Sequence, residues 1–386
     1  MLKKKYHKEV SELQTPCYIF DCEEFARSYR SLSTALSLYF DDYIVGYSVK
    51  TNSMSAVLDE AQNLGIYAEV VSHDEYKLVK EHGFTAAQII YNGPLKSFDT
   101  FVEALDGGAI VNIDTPQQIE WLKRLPKDSI FKVGIRLSIN LSEISPGDAE
   151  CADDSSRFGF SVSSGSFKEA IETIMTLDNV RLAGLHVHRT TKLRRPLFYK
   201  RLTEYACNVI RQFGLRPEYL DIGGGFYGIR QGKPAYKDYI QAIYETLKSN
   251  DMENIRLIVE PGNGLIDSPI SFVCSVIDVN DGDYGNRIVY TDGSRIDVDP
   301  HFRKTNYLKS ILINDDAPRP TLRHQTVCGC TCIENDRIFV LDNHPELKIG
   351  DRILFDNTGA YTCAFTPNFI RKLPDVHIVN KDNKLL

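Results

Sequence analysis

The 386 residues, 42 % hydrophobic and 25 % charged, have the make-up of a globular chain long enough for one large domain and a smaller one. A formal charge of −7 and a pI near 5.8 argue against nucleic acid or an anionic membrane surface as partner. No apolar run reaches the roughly 18 residues of a membrane span, and the N-terminal stretch lacks the apolar core of a secretion signal, so a soluble cytoplasmic protein is expected. In chain order, the basic run "MLKKKYHK" reads as a solvated N-terminus, and "TPCYIFD" (15–21) as a strand. Strand-like runs then alternate with helical segments. The strands are 43–49, 66–71, 88–91, 109–113, 131–137, 181–187, 219–222 and 255–260. The helical segments are 54–65, 74–83, 97–106, 115–125, 166–177, 197–213 and 235–249. Apolar, β-branched strand runs predict a parallel sheet buried on both faces. Eight βα units over about 250 residues predict a closed (β/α)8 TIM barrel rather than a doubly wound open sheet. The stretch 138–160 is polar and aperiodic and reads as a long functional loop. After Pro261 short strands separated by turns predict an all-β domain, which the strand at 15–21 would join. The expected domains are thus 25–268 for the barrel, and 1–24 with 269–386 for the β-domain.

Nine cysteines, an odd number, fit reduced thiols. Three of them crowd into "VCGCTC" (327–332). Their single-residue gaps do not match the two-to-four-residue gaps of zinc sites, so no metal is expected. On a strand, that spacing would put Cys328, Cys330 and Cys332 on one face.

Barrel chemistry collects at the C-terminal ends of the strands. Lys50 ends the first strand, Glu69 lies late in the second, and His186 and His188 end the sixth. Gly223, Gly224 and Gly225 follow the seventh, and Glu260 ends the eighth. Bare backbone in a glycine run can approach a phosphate closely. A lysine can form a Schiff base with an aldehyde. A carboxylate can hold a protonated pyridine nitrogen. These three needs together describe pyridoxal 5′-phosphate.

In these motifs, from "TPCYIFD" to "FDNTGAYTCAF", the sequence resembles the barrel-type (fold type III) pyridoxal-phosphate decarboxylases, which include the diaminopimelate and ornithine decarboxylases. The resemblance implies that Lys50 binds the cofactor aldehyde, Glu260 pairs with the ring nitrogen and His188 stacks on the ring. It implies that Gly223, Gly224, Gly225 and Tyr361 serve the cofactor phosphate, where Thr191 could replace a serine hydroxyl, and that Gly262 is a further cofactor-binding residue. Cys332 would match a cysteine that reaches a neighbouring subunit's site and returns a proton after carbon dioxide leaves. A homodimer with active sites at its interface is therefore expected, acting on a small-molecule or tethered amino acid.

Several positions depart from the family pattern. Asn263 in "EPGN" stands where the family has arginine, and Ile333 where it has an acid for the substrate's distal amine. "HRTT" replaces His-Ile/Val-Gly-Ser, and "SRFGF" replaces Ser-Lys-Phe-Gly. An ammonium buried without an acidic partner costs several kcal/mol. A free distal amine is thus poorly received unless Glu334 or Asp336 stands in. "RKTNY" keeps the Arg-x-x-x-Tyr spacing by which diaminopimelate decarboxylases hold a carboxylate, so Arg303 and Tyr307 are candidates for a distal anion. The expectation is an atypical, larger or tethered substrate of a biosynthetic route such as natural-product assembly, with meso-diaminopimelate as the alternative. A racemase would place arginine, not Glu260, opposite the ring nitrogen. A non-catalytic regulatory homologue would not need Lys50, His188, Glu260 and Cys332 together. A metal hydrolase on His186 and His188 lacks a further His or Asp pair.

Overall fold

The computed structural model describes residues 10–148, 156–282 and 285–379. The basic N-terminal run and part of the 138–160 loop lie outside the described residues. Two compact units form: residues 27–50 with 58–265, and residues 1–26 with 51–57 and 266–386.

The sheet unit begins with β1 (Cys17–Asp21). The other unit is a closed parallel barrel. Its strands are β2 (Tyr43–Ser48), β3 (Tyr67–Ser72), β4 (Ile89–Leu95), β5 (Ile110–Ile113), β6 (Phe131–Leu137), β7 (Val180–Val187), β8 (Tyr219–Asp221) and β9 (Arg256–Val259). Closure is direct: β2 pairs with β9 through Tyr43–Leu257, Ile44–Ile258 and Val45–Val259. The eight strands read from the sequence are the eight of the barrel. Helix starts follow local chemistry. Ser72 accepts from Glu75 N–H to cap α1 (His73–Glu81), and Ser97 accepts from Thr100 N–H to cap α2 (Phe98–Asp106). Prolines open α3 (Pro116–Leu122) and α4 (Pro196–Gln212), where no intrahelical donor is needed. Inside the barrel, Ile90, Ala183, Tyr219 and Ile258 form a buried cluster. Fully burying an isoleucine there stabilises the unit by about 1.5–3 kcal/mol. Among the described residues no helix is long and apolar enough to cross a membrane.

The rest of the sheet unit comprises β10 (Ile270–Asp281), β11 (Asn286–Thr291), β12 (Lys309–Leu312), β13 (Thr321–Cys328), β14 (Arg337–Pro345), β15 (Arg352–Phe355) and β16 (Asp375–Val379). β1 pairs antiparallel with β10 and parallel with β16, so the N-terminal strand does join this sheet. One expectation is corrected here. β13 stops at Cys328, and the chain then turns: Gly329 N–H donates to the Asp336 carbonyl and Cys330 N–H to the Gly293 carbonyl. The three thiols therefore do not share a strand face. The turn is held by Asp336, which is itself buried. Its carboxylate accepts from Ser294 Oγ, Arg295 N–H, Thr331 N–H and Thr331 Oγ1.

Candidate active site

Within the barrel the sequence-predicted polar residues converge. Lys50, just past β2, puts Nζ 2.7 Å from Glu69 Oε2, and Ser48 Oγ donates to the same oxygen at 2.6 Å. Asn92 Nδ2, on β4, donates to Glu69 Oε1 at 3.1 Å and to Glu260 Oε1 at 2.5 Å. Burial alone would raise the Glu69 carboxyl. The Lys50 charge and the hydrogen bonds from Lys50, Ser48 and Asn92 outweigh it and hold Glu69 below the usual carboxylate range.

Glu260 behaves in the opposite way. Burial, then the charges of Asp221 and Glu69, push its carboxyl well up. Burial also raises Asp221. Two buried acids side by side keep a proton between them. His186 Nε2 lies 3.6 Å from Glu260 Oε2, beyond hydrogen-bond reach, and both of its ring nitrogens are buried without a hydrogen-bond partner. His186, Asp221 and Glu260 offer ligand atoms within 4.8 Å of one another. His188 is not part of this group, in which one Asp and one Glu stand with His186 rather than a further His or Asp pair. Burial, followed by the charge of Arg136, holds both His186 and His188 in the neutral form, with His188 brought down to about 3.

The glycine run is a tight cradle. A Cβ on Gly224 would fall 2.0 Å from the Glu260 carbonyl oxygen, and one on Gly223 would fall 2.4 Å from His188 Nδ1. Gly223 N–H donates to Asp221 Oδ1 at 2.9 Å, and Tyr199 OH donates to the Gly224 carbonyl at 2.9 Å. Thr191 is buried, with Oγ1 accepting from Arg194 N–H at 3.2 Å. The Gly262 carbonyl accepts from Leu265 N–H at 3.0 Å, and Asn263 Oδ1 is buried without a hydrogen-bond partner.

The remaining candidates belong to the sheet unit. Cys332 and Ile333 are exposed. Ile333 lines a small apolar cleft with Ile296, Phe302 and Phe369. Tyr361 adopts a left-handed backbone with φ 67° and lies edge-on to His301. Tyr307 is buried and turns its hydroxyl to Asp299 Oδ2 at 3.3 Å, while Arg303 N–H donates to Asp299 Oδ1 at 3.0 Å. Asp336 cannot stand in for a substrate acid, because its carboxylate is already saturated. Glu334 is exposed and pairs with Arg337 at 3.4 Å.

Sequence reasoning did not single out Asn92, Asn112, Tyr219, Asp221 or Lys96. Lys96 is buried and donates to the Gly93 carbonyl at 2.6 Å and the Asn112 carbonyl at 3.1 Å. Burial brings its amine down to about 7. Lys96, one residue past β4, was the available signal, as a charge at the end of a strand run.

A (β/α)8 barrel with a separate β-sheet unit, a lysine at one strand end, a buried acid at another and a glycine cradle between them defines a pyridoxal-phosphate barrel enzyme. The family described as "Pyridoxal-dependent decarboxylase, pyridoxal binding domain" matches residues 23–266, and the chain belongs to it. Over 96 % of its length the chain is 27 % identical to a probable chloroplastic diaminopimelate decarboxylase of Oryza sativa, covering 76 % of that protein. It is 25 % identical to the ornithine decarboxylase of Mus musculus, over 84 % of this chain and 72 % of that protein. The fold matches the crystal structure of the Paramecium bursaria Chlorella virus arginine decarboxylase with TM-score 0.81 and 21 % identity, covering 98 % of this chain and 100 % of that one. The protein is a pyridoxal-phosphate-dependent amino-acid decarboxylase. The bare glycine backbone and the proton-holding acid pair of the barrel fit that cofactor.

Proposed function

We propose that this decarboxylase acts on an amino acid whose far end is not a free amine. One observation carries the reading. The position after Cys332 is Ile333, exposed and part of an apolar wall, while the nearby Asp336 carboxylate already accepts four hydrogen bonds. A substrate ammonium brought there would meet an apolar wall and no free carboxylate.

The roles follow from the chain's own groups. Lys50 would hold the cofactor aldehyde. Glu260, with the proton it shares with Asp221, would serve the ring nitrogen. His188, kept neutral, would hold the ring without adding charge. The Gly223–Gly225 backbone, Thr191, Gly262 and Tyr361 serve the phosphate. Bound pyridoxal phosphate supplies the electron sink for the bond to the departing carboxylate. Glu69 holds the Lys50 ammonium in place. Cys332, exposed on its own subunit, would deliver a proton to the α-carbon in a second copy, which makes the working form a homodimer. Arg303 and Asn263 are the contacts proposed for the substrate's far end, with Tyr307 bracing the Arg303 loop through Asp299. None of the eight described cysteines is in a disulfide, which suits a reducing cytoplasm.

The likeness to proteins named diaminopimelate decarboxylase supports a second reading, in which Arg303 meets the distal carboxylate of meso-diaminopimelate. Carbon dioxide release separates the two. Ornithine, lysine and meso-diaminopimelate are compared with their distally acylated counterparts at equal concentration. The proposal expects the acylated compounds to lead by at least about tenfold. Faster release from meso-diaminopimelate would install the second reading instead.

A further inference from the structure

Across the barrel runs a chain of hydrogen bonds that ends on the two acids of the site. Tyr219 OH donates to Asn112 Oδ1 at 2.9 Å. Asn112 Nδ2 donates to Asn92 Oδ1 at 2.8 Å. Asn92 Nδ2 then donates to Glu260 Oε1 and Glu69 Oε1. The direction is fixed by chemistry. A carboxylate only accepts, so the Asn92 amide nitrogen must face the two acids; a reversed Asn92 would put its oxygen against them. The Asn92 oxygen is then left for Asn112 Nδ2, which also points at Asp221 Oδ2 at 3.5 Å. The Asn112 oxygen is left for the Tyr219 hydroxyl, which can donate or accept and here donates.

The barrel is cut away to admit this chain. A Cβ on Gly134 would fall 2.0 Å from Asn112 Oδ1 and 2.2 Å from Tyr219 OH. A Cβ on Gly184 would fall 2.0 Å from the Tyr219 ring. Thus β6 and β7 each give up a side chain so that Tyr219 can reach Asn112. Burial keeps the Tyr219 proton in place throughout the working pH range.

We propose that Asn92 is a positioning residue for the decarboxylation, an amide yoke that holds Glu69 and Glu260 on one nitrogen, and that Tyr219, acting through Asn112, braces it from behind. The yoke carries no charge. It therefore fixes the acid that meets Lys50 and the acid that meets the ring nitrogen without neutralising either one. The inference rests on the reading that Lys50 and Glu260 hold the two ends of the cofactor ring.

The test uses the full chain with Asn92→Ala, Asn92→Asp, Tyr219→Phe and the double variant Asn92→Ala/Tyr219→Phe. Three quantities are read: the cofactor dissociation constant, the pH midpoint of the bound cofactor's visible absorbance, and the apoprotein melting temperature. Asn92→Asp is expected to weaken cofactor binding about tenfold or more, because it sets an acceptor against two carboxylates. It is also expected to move the absorbance midpoint. Tyr219→Phe should weaken binding by about threefold, and in the double variant its effect should vanish, as for two residues acting in series. Two results would overturn the yoke: melting temperatures that fall while affinity stays within about twofold and the absorbance midpoint does not move, or Tyr219 and Asn92 effects that add in full. Glu260→Ala and Lys50→Ala are run beside them. If these two leave cofactor binding unchanged, the underlying reading fails rather than the yoke alone.

Discussion

Lys50 Nζ and Glu69 Oε2 stand 2.7 Å apart, with the lysine side chain 41 % exposed and the glutamate only 2 % exposed. The pair is one-sided. The acid is buried and depends on its partner, whereas the amine can still be solvated. Glu69 titrates below its ordinary value in the folded chain. A carboxyl lowered on folding contributes stability that is present above the unfolded pKa, near 4.3, and is lost as pH falls through the folded value. Wild type and Glu69→Gln apoprotein should therefore differ in melting temperature near neutrality and converge as pH drops below about 4. A gap that persists at low pH would assign the difference to packing.

The two histidines make a second pH prediction. Unfolded histidine titrates near 6.5, and His188 is brought down to about 3 in the folded chain. Between those values the unfolded chain binds the proton first, so stability falls as pH falls. Each such imidazole contributes at most about 1.4 kcal/mol per pH unit. Replacing His188 with Asn should flatten denaturant midpoints plotted between about pH 6 and pH 4. An unchanged slope would show that the imidazole is not held neutral.

Gly224→Ala tests the cradle. The added methyl meets the Glu260 carbonyl oxygen, a backbone atom that cannot rotate away. Cofactor affinity should fall by at least about tenfold, with a melting-temperature loss matching about 1–3 kcal/mol of overpacking. Affinity within twofold of wild type would mean that the phosphate lies elsewhere.

Ile333→Asp tests the substrate reading. A carboxylate there gives a distal ammonium the anion it lacks, and turnover of ornithine or lysine should rise by about tenfold or more relative to wild type. Asp336→Ala is the contrast. It strips four accepted hydrogen bonds from the turn, and should cost about 2–4 kcal/mol of stability without creating amine specificity.

Much of this architecture is written in the sequence, and the exceptions have physical causes. Runs such as Phe131–Leu137 and Val180–Val187 are apolar and β-branched because barrel strands are covered on both faces. That made all eight legible. Lys309–Leu312 and Asp375–Val379 escaped notice, since "KSIL" is short and half-buried and "DVHIV" begins exposed. Lys50 and Glu260 stand out because charge at the end of an apolar strand is costly without a task. Asn92, Asn112 and Tyr219 did not stand out, since a Gly, Asn or Tyr within a strand run reads as ordinary until neighbouring strands are superposed. Gly134 and Gly184 acquire meaning only from the Tyr219 ring that lies against them. The Cys328–Cys332 triplet shows the converse. Alternation looked like a strand, and a single buried aspartate, Asp336, folds it into a turn.

The barrel holds two lysines suited by environment to meet an aldehyde. Lys50 sits at a strand end with a solvated side chain, while Lys96 is buried with its amine brought down to about 7 and directed at backbone carbonyls. Reducing the holoenzyme with borohydride and mapping the cofactor adduct by peptide mass spectrometry decides the matter. The adduct is expected on Lys50 alone, and is expected to be absent from Lys50→Ala. An adduct on Lys96, or one that survives Lys50→Ala, would show that Lys50 is not the residue that holds the aldehyde.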